Sequence, residues 1–397
     1  MIQKRRFIWI VLDSVGIGAA PDASRYGHSD EMSHTLKHCA ESVDGLKAPN
    51  LEKMGLGCID SIPGLNCGEN VAGAFGKMRE RSHGKDTTNG HWEFVGVVLE
   101  QDLPVYPTGF PEEIISQFEA YTGKQVLCNA PASGTVVIEE YGEEHLRSGC
   151  PIVYTSADSV FQVAAHEDII PVETLYDWCQ YARKILSGRH AVGRVIARPF
   201  TGKVGEFVRT HNRKDFSLTF GNTVLNELEN AGIPVTGIGK IGDIYGGSGI
   251  KTAVHTHNNR DGMLRVMDQM HVQDCGLIYA NLVDFDSLYG HRNNPVGFAR
   301  AIEDFDIQLG ELLSKVMPSD IVCITADHGC DPTTPGTDHS REWVPILMWH
   351  RGMSSKIPLG CRDTFADVGA TLAEYFGVAN PRAGTSFWAD VSKDFSS

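Results

Sequence analysis

The stretch Ile321–Pro345, I-V-C-I-T-A-D-H-G-C-D-P-T-T-P-G-T-D-H-S-R-E-W-V-P, decides how the rest of the chain is read. Ile321, Val322 and Ile324 form a short, partly β-branched apolar run, which predicts a buried strand. The run stops at Asp327-His328-Gly329, and a Pro/Thr/Gly-rich loop then delivers Asp338-His339. Side chains leaving the end of a buried strand are where α/β proteins place their chemistry. Asp and His are also borderline-to-hard metal donors. One such pair at a strand-to-loop transition is ordinary. What gives it weight is that two other apolar runs end in the same way. Phe7–Leu12 runs into Asp13, and Leu277–Val283 runs into Asp284 and Asp286, with His291 soon after.

A chain of 397 residues with 42% hydrophobic content can bury a large core, and its length favours two domains. The formal net charge of -15 argues against a nucleic-acid surface and against a polybasic membrane patch. Bound metal ions could still draw phosphorylated substrates to an acidic protein. Lys4-Arg5-Arg6 before Phe7–Leu12 mimics the start of a signal sequence, but the apolar run is too short and ends at Asp13, so it reads as a first strand. No run reaches membrane-spanning length. The ten cysteines are scattered without a C-x-x-C, which predicts free thiols in a reducing, cytoplasmic setting.

Taken in order, the chain reads as one α/β domain, residues 1–100 and 221–397, interrupted by a smaller α/β insertion at 101–220. Asp13-Ser14-Val15-Gly16-Ile17-Gly18 lacks a third glycine and a following helical pattern, so it is no dinucleotide loop. Residues 19–82 are rich in Gly and Ser, with weak periodicity. Lys85-Asp86-Thr87-Thr88-Asn89-Gly90-His91 suits a loop presenting a hydroxyl, although an ordinary capped turn has the same composition. In the insertion, a helix is predicted over Glu173–Leu186 and a strand over Val192–Arg198. Arg194, Arg198, Arg209 and Arg213 suit phosphate recognition or a solvated basic face. Beyond it, strands alternate with helices marked by Met263, Val266, Met267 and Met270, by Phe298, Ile302, Phe305, Leu309, Leu312 and Val316, and by Val368, Leu372 and Phe376. That alternation predicts a mostly parallel sheet between helices.

In a parallel sheet the three Asp-bearing strand ends open on one edge. Asp13, Asp286, His291, Asp327, His328 and His339 divide into two sites of three, and mixed carboxylate and imidazole suits Zn or Mn. Three carboxylates and two divalent ions leave a net charge of plus one. Ions about 4 Å apart can clamp both oxygens of an in-line displacement.

With these residues in hand, the chain resembles the alkaline phosphatase superfamily and, within it, the phosphopentomutase family. The likeness is carried by Val11–Gly16, Lys85–Glu93, Asp284-Phe285-Asp286 with Gly290-His291, and Thr325–Asp331 through Asp338-His339. In the insertion it is carried by Thr155–Gln162 and Gly193–Pro199. The resemblance implies an alkaline-phosphatase-like core with an inserted cap domain. One Mn²⁺ would sit on Asp286, His291 and His339, and the other on Asp13, Asp327 and His328. Thr87 would be the phospho-acceptor, with Thr88 the neighbouring alternative. Ser156, Asp158, Arg194, Arg209 and Lys240 would contact the substrate. The implied reaction interconverts ribose 1-phosphate and ribose 5-phosphate, and the deoxyribose pair, with a sugar 1,6-bisphosphate as activator. The implied partners are small-molecule sugar phosphates. A metal-dependent phosphatase or phosphodiesterase of the superfamily would share the metal set. A cofactor-independent phosphoglycerate mutase is similar in layout but uses Ser where this chain has Thr87. A metal-stabilised sensor of sugar phosphates would bind phosphate without turnover. Roles for Lys85, His91, Arg198 and Arg213 do not follow, nor does the oligomeric state.

Overall fold

The computed structural model describes residues 5–156 and 159–395. It divides into two units, Met1–Gln101 with Phe220–Ser397, and Asp102–Thr219. Strands β1 (Arg6–Leu12) and β2 (Gly73–Met78) precede the insertion. β3 (Leu127–Pro131), β4 (Ile152–Thr155), β5 (Val160–His166), β6 (Arg194–Thr201), β7 (Val208–Arg209) and β8 (Lys214–Ser217) lie within it. β9 (Val235–Ile238), β10 (Thr252–Val254), β11 (Gly276–Leu282), β12 (Asp320–Thr325), β13 (Val344–Trp349) and β14 (Lys356–Arg362) follow it.

Among the described residues the first unit holds an eight-stranded sheet in the order β10-β9-β11-β1-β12-β13-β2-β14. β1 lies at its heart and is buried along its whole length, as a strand covered on both faces must be. It pairs in parallel with β11 and β12, with Leu12 opposite Leu282 and Val11 opposite Thr325. This register delivers three chain ends to one edge: Asp13, the turn after Leu282, and Ala326-Asp327. The opposite end is locked by Arg6, which is 2% exposed. Its guanidinium meets Asp320 at 2.5 Å and the carbonyl oxygen of Gln273 at 3.0 Å. β13 runs antiparallel to both β12 and β2, so the sheet is mixed.

The helix Pro295–Lys315 keeps the predicted spacing, with Phe298, Ile302, Phe305, Leu309 and Leu312 buried. Pro295 opens it and the Asn294 side chain accepts from Gly297 N–H. The block 19–82, which shows no clear periodicity, forms short helices at Thr35–Glu41 and Pro49–Met54 and then β2. β2 carries glycines where β-branched residues would be expected, because a Cβ at Gly73 would stand 2.3 Å from Met54 O and one at Gly76 2.5 Å from Gly360 O. The expectation of free cysteines fails for one pair. Cys58 and Cys67 form a disulfide, their Cα atoms brought to 4.6 Å by a turn that the spacing alone does not announce.

In the inserted unit, β3-β4-β5-β6-β7 form one sheet, and β8 also pairs with β6. Phe110, Phe118, Phe161, Leu175 and Trp178 pack into one apolar cluster. Val137, Ile152, Tyr154, Phe200 and Phe207 pack into a second. The predicted helix is seen over Val172–Ile185, and the predicted strand at 192–198 is shifted to Arg194–Thr201.

Candidate metal centre

β1 ends at Asp13, whose N–H donates to Leu282 O at 3.1 Å. Ser14 then adopts a left-handed backbone, φ 71°, and turns its N–H to Asp327 Oδ1 at 3.0 Å. The first and last of the three strand ends are thereby tied together. His328 Nε2 stands 3.3 Å from Asp13 Oδ1 and 3.7 Å from Asp327 Oδ2, and all three residues are buried. Asp286 lies in a single wide turn, Phe285–Tyr289, and His291 in the tighter turn that follows. Asp286 is 3.3 Å from both His291 Nε2 and His339 Nε2, and the two imidazole nitrogens are 3.1 Å apart. Donor atoms of Asp13, Asp327 and His328 fall within 4.8 Å of one another, as do those of Asp286, His328 and His339. His328 therefore reaches both groups, whereas the expected division gave it to one.

The hydrogen bonds decide which nitrogens are free to bind. His291 Nδ1 lies 2.6 Å from Thr337 O, and His328 Nδ1 lies 3.0 Å from Gly329 O. With the proton placed on Nδ1 to satisfy those carbonyls, the Nε2 lone pair of each faces the carboxylates, as in a metal-ligating imidazole. Two such nitrogens 3.1 Å apart at His291 and His339 need a cation or a shared proton between them. Asp286 Oδ1 and Asp327 Oδ2 are buried and meet only imidazole nitrogens, His339 Nε2 at 3.3 Å and His91 Nδ1 at 3.1 Å, outside good hydrogen-bond geometry. The donors thus fit divalent cations.

Burial would raise the Asp13 carboxyl, but Lys240 and His328 outweigh it and hold it at about 2. Asp286 is likewise depressed, the close imidazoles of His291 and His339 overcoming its burial. Burial disfavours a charged His328, yet Asp327 and Asp13 hold it well above the usual imidazole range. Together these directions report ionised carboxylates held against cationic neighbours, a field of closely paired charges.

The hydroxyl that meets this field is Thr87. Its Oγ1 is 3.3 Å from Asp13 Oδ1 and 3.1 Å from His328 Nε2. The Lys85–His91 stretch is not an open loop there. Thr87 is the first residue of the helix Thr87–Phe94, capped by Asp86, which accepts from Thr88 N at 2.8 Å and Asn89 N at 3.1 Å.

Lys240 is found on Asp13 Oδ2 at 3.4 Å, beside Asn281 Nδ2 at 3.2 Å. Lys85 sits between Asp30 and Asp338, at 3.2 and 3.3 Å. In the inserted unit, Ser156, Arg194 and Arg209 line a cavity of about 210 Å³ together with Arg198 and Arg213. The four arginines therefore converge on one cavity, Arg213 remaining exposed to solvent. Asp158 lies outside the described residues.

Three residues escaped the sequence reading. His91 Nδ1 is 2.8 Å from Thr87 O and 3.1 Å from Asp327 Oδ2. Cys330 falls in a group with Asp286 and His291. Glu342 is buried and accepts from Gly18 N, Thr35 N, Thr35 Oγ1 and Ser340 Oγ, which braces the loops bearing Asp13, Asp327 and His339. Helical spacing from Thr87 could have pointed to His91. Nothing local pointed to the other two.

Residues 5–380 match the model of the Metalloenzyme superfamily. A protein of Carboxydothermus hydrogenoformans named phosphopentomutase is 54% identical over 390 residues, 98% of this chain and 100% of that one. Phosphopentomutases of Caldanaerobacter subterraneus (54% identical, 98% of each chain) and Acetivibrio thermocellus (52%, 98% of this chain and all of that one) are similar over the same span. Site geometry and full-length likeness thus lead to one conclusion: the chain belongs to the metalloenzyme superfamily, with its alkaline-phosphatase-like fold, and within it to the phosphopentomutases, which are isomerases.

Proposed function

We propose that the chain interconverts ribose 1-phosphate and ribose 5-phosphate, and their deoxyribose counterparts, by passing a phosphoryl group through Thr87. The observation that carries this reading is the placement of Thr87 Oγ1 within 3.3 Å of Asp13 and His328, at the N-terminus of a capped helix. Asp286, His291 and His339 would hold one Mn²⁺, and Asp13, Asp327 and His328 the other. When bound, such ions supply charge neutralisation for phosphate oxygens and lower the pKa of a coordinated hydroxyl.

The remaining work falls to the chain. Asp86 and the helix N-terminus hold Thr87 at the cluster, where exposed backbone N–H groups favour an anion. Phosphothreonine 87 would give its phosphoryl group to the free hydroxyl of the sugar monophosphate, forming a bisphosphate. The other phosphoryl group of the bisphosphate would then return to Thr87. Trace sugar 1,6-bisphosphate would charge an empty Thr87. Arg194 and Arg209, with Ser156 and Asp158, are assigned to substrate, the arginine forks suiting a phosphate. Lys240 is assigned to Asp13 and through it to the substrate phosphate.

The test is a coupled assay for ribose 5-phosphate made from ribose 1-phosphate. Activity should vanish with a chelator and return with Mn²⁺. Mass spectrometry of the working enzyme should place one phosphoryl group on the peptide containing Thr87. Full turnover by Thr87→Ala, or turnover after verified removal of metal, would overturn the proposal. Net release of phosphate in place of isomerisation would assign the chain to the phosphatase reading.

A further inference from the structure

Cys330 is chemically out of place among the donors around it. It follows Asp327-His328-Gly329 on the loop leaving β12 and is 1% exposed. Its sulfur lies within 4.8 Å of donor atoms of both Asp286 and His291. The turn bearing those two residues closes directly on it: a Cβ at Gly290 would stand 2.8 Å from Cys330 Sγ. The thiol has only a long contact to Asp338 O, at 3.6 Å. Within the same group, Asp286 Oδ1 is buried and has no partner in good hydrogen-bond geometry, His339 Nε2 standing 3.3 Å away.

Oxygen and nitrogen donors satisfy Mn²⁺, which gains little from sulfur. Zn²⁺ is comfortable with mixed oxygen, nitrogen and sulfur sets, and Cd²⁺ prefers sulfur. We propose that Cys330 gives the Asp286–His291 position a second coordination mode, in which a thiophilic divalent cation is held by Asp286, His291 and the Cys330 sulfur. The proposal rests on reading that position as a metal site. Entry of the ion breaks the Cys330 S–H bond, forms one sulfur–metal bond and releases the proton to solvent, with no change of oxidation state. The position is thus a point of metal discrimination. Zn²⁺ or Cd²⁺ anchored by sulfur leaves slowly and keeps Mn²⁺ out.

The test is a Cd²⁺ titration of the metal-free full-length chain. It follows the ultraviolet sulfur-to-cadmium charge-transfer band, with calorimetry for affinity. The wild type should develop a saturable band. Cys330→Ser, Cys330→Ala and His291→Ala should each lack it and bind Cd²⁺ more weakly by about 100-fold, since losing a ligand costs at least as much as losing a ligand's hydrogen-bond partner. Cys361→Ser removes an exposed thiol and should keep the band. A band that survives in both Cys330 variants, or is unchanged in His291→Ala, or disappears in Cys361→Ser, would overturn the proposal. Parallel Mn²⁺ titrations separate the two levels. Wild-type protein that binds no Mn²⁺ would sink the two-ion reading. Normal Mn²⁺ binding without a Cys330-dependent band would sink the sulfur mode alone.

Discussion

Asp327 is gripped from two sides, by Ser14 N–H on Oδ1 at 3.0 Å and by His91 at 3.1 Å from Oδ2. His91 also reaches Thr87 O, so one imidazole spans the proposed phospho-acceptor and a carboxylate of the candidate metal group. That makes it a positioning residue. His91→Ala should lower Mn²⁺ affinity or kcat by about 10- to 100-fold, the usual effect of removing a ligand's hydrogen-bonding partner. His91→Asn, which can offer an amide N–H in place of Nδ1–H, should recover part of the loss with little effect on KM. Equal defects in both variants would reduce His91 to a packing role. The ligands themselves separate by ion. Asp327→Ala and His339→Ala should both be nearly inactive, and elemental analysis should find each short of one bound ion. Loss of both ions, or of neither, from one of these variants would contradict the assignment of three ligands to each.

At the scale of elements, two close approaches hold the helix Thr87–Phe94 and β1 in place. A Cβ at Gly90 would stand 2.1 Å from Asp327 O, so helix and ligand loop meet backbone to backbone. Gly90→Ala therefore sets two effects against each other. Helix propensity favours Ala by about 1 kcal/mol, and overpacking against a backbone atom costs about 1–3 kcal/mol. The clash should win. Urea melts should show lower stability and metal titration weaker binding, whereas a stabilised variant would mean that the helix is free to shift. At the far end of β1, Arg6→Ala leaves Asp320 buried without its partner. Breaking such a pair costs about 3–5 kcal/mol. Arg6→Met combined with Asp320→Leu should regain most of that in urea denaturation. A wild-type melt for Arg6→Ala would show that the pair does not lock the register.

At the scale of the molecule, the chemistry is divided between two sets of residues. The first unit carries the candidate metal group and Thr87, which on the proposed function would suffice to cleave a phosphate ester. The inserted unit carries the arginine cavity, which the proposed function assigns to the phosphate that is not being transferred. Remote binding energy of that kind orients the reacting end. Arg194→Ala should reduce kcat/KM for isomerisation by roughly thirty- to a thousandfold, the cost of one charge-assisted fork at about 2–4 kcal/mol. Mn²⁺ binding and hydrolysis of phosphothreonine 87 should be largely spared. A parallel fall in isomerisation and hydrolysis, with both ions bound, would remove Arg194 from substrate positioning. The sequence by itself determined the strands that lead to Asp13, Asp286 and Asp327, although Asp286 lies in the turn four residues beyond β11, the alternation that builds a mostly parallel sheet, and the family, because strand periodicity and residue type are local properties. Only the tertiary structure decided which residues meet. Thr87 lies 74 positions from Asp13 and 241 from His328: the β1-β12 register brings Asp13 beside His328, and the close approach of Gly90 to Asp327 O sets the Thr87 helix on both. Long-range packing also placed Cys330 beside Asp286 and His291 and set Lys240 on Asp13, whereas a turn closed Cys58 onto Cys67 and the sheet of the inserted unit gathered four arginines around one cavity. The contacts of Cys330 and Lys240 have no local signature, since they are fixed by the packing of elements far apart in the chain, and the nearer ones depend on turn geometry and strand pairing that residue type alone does not specify.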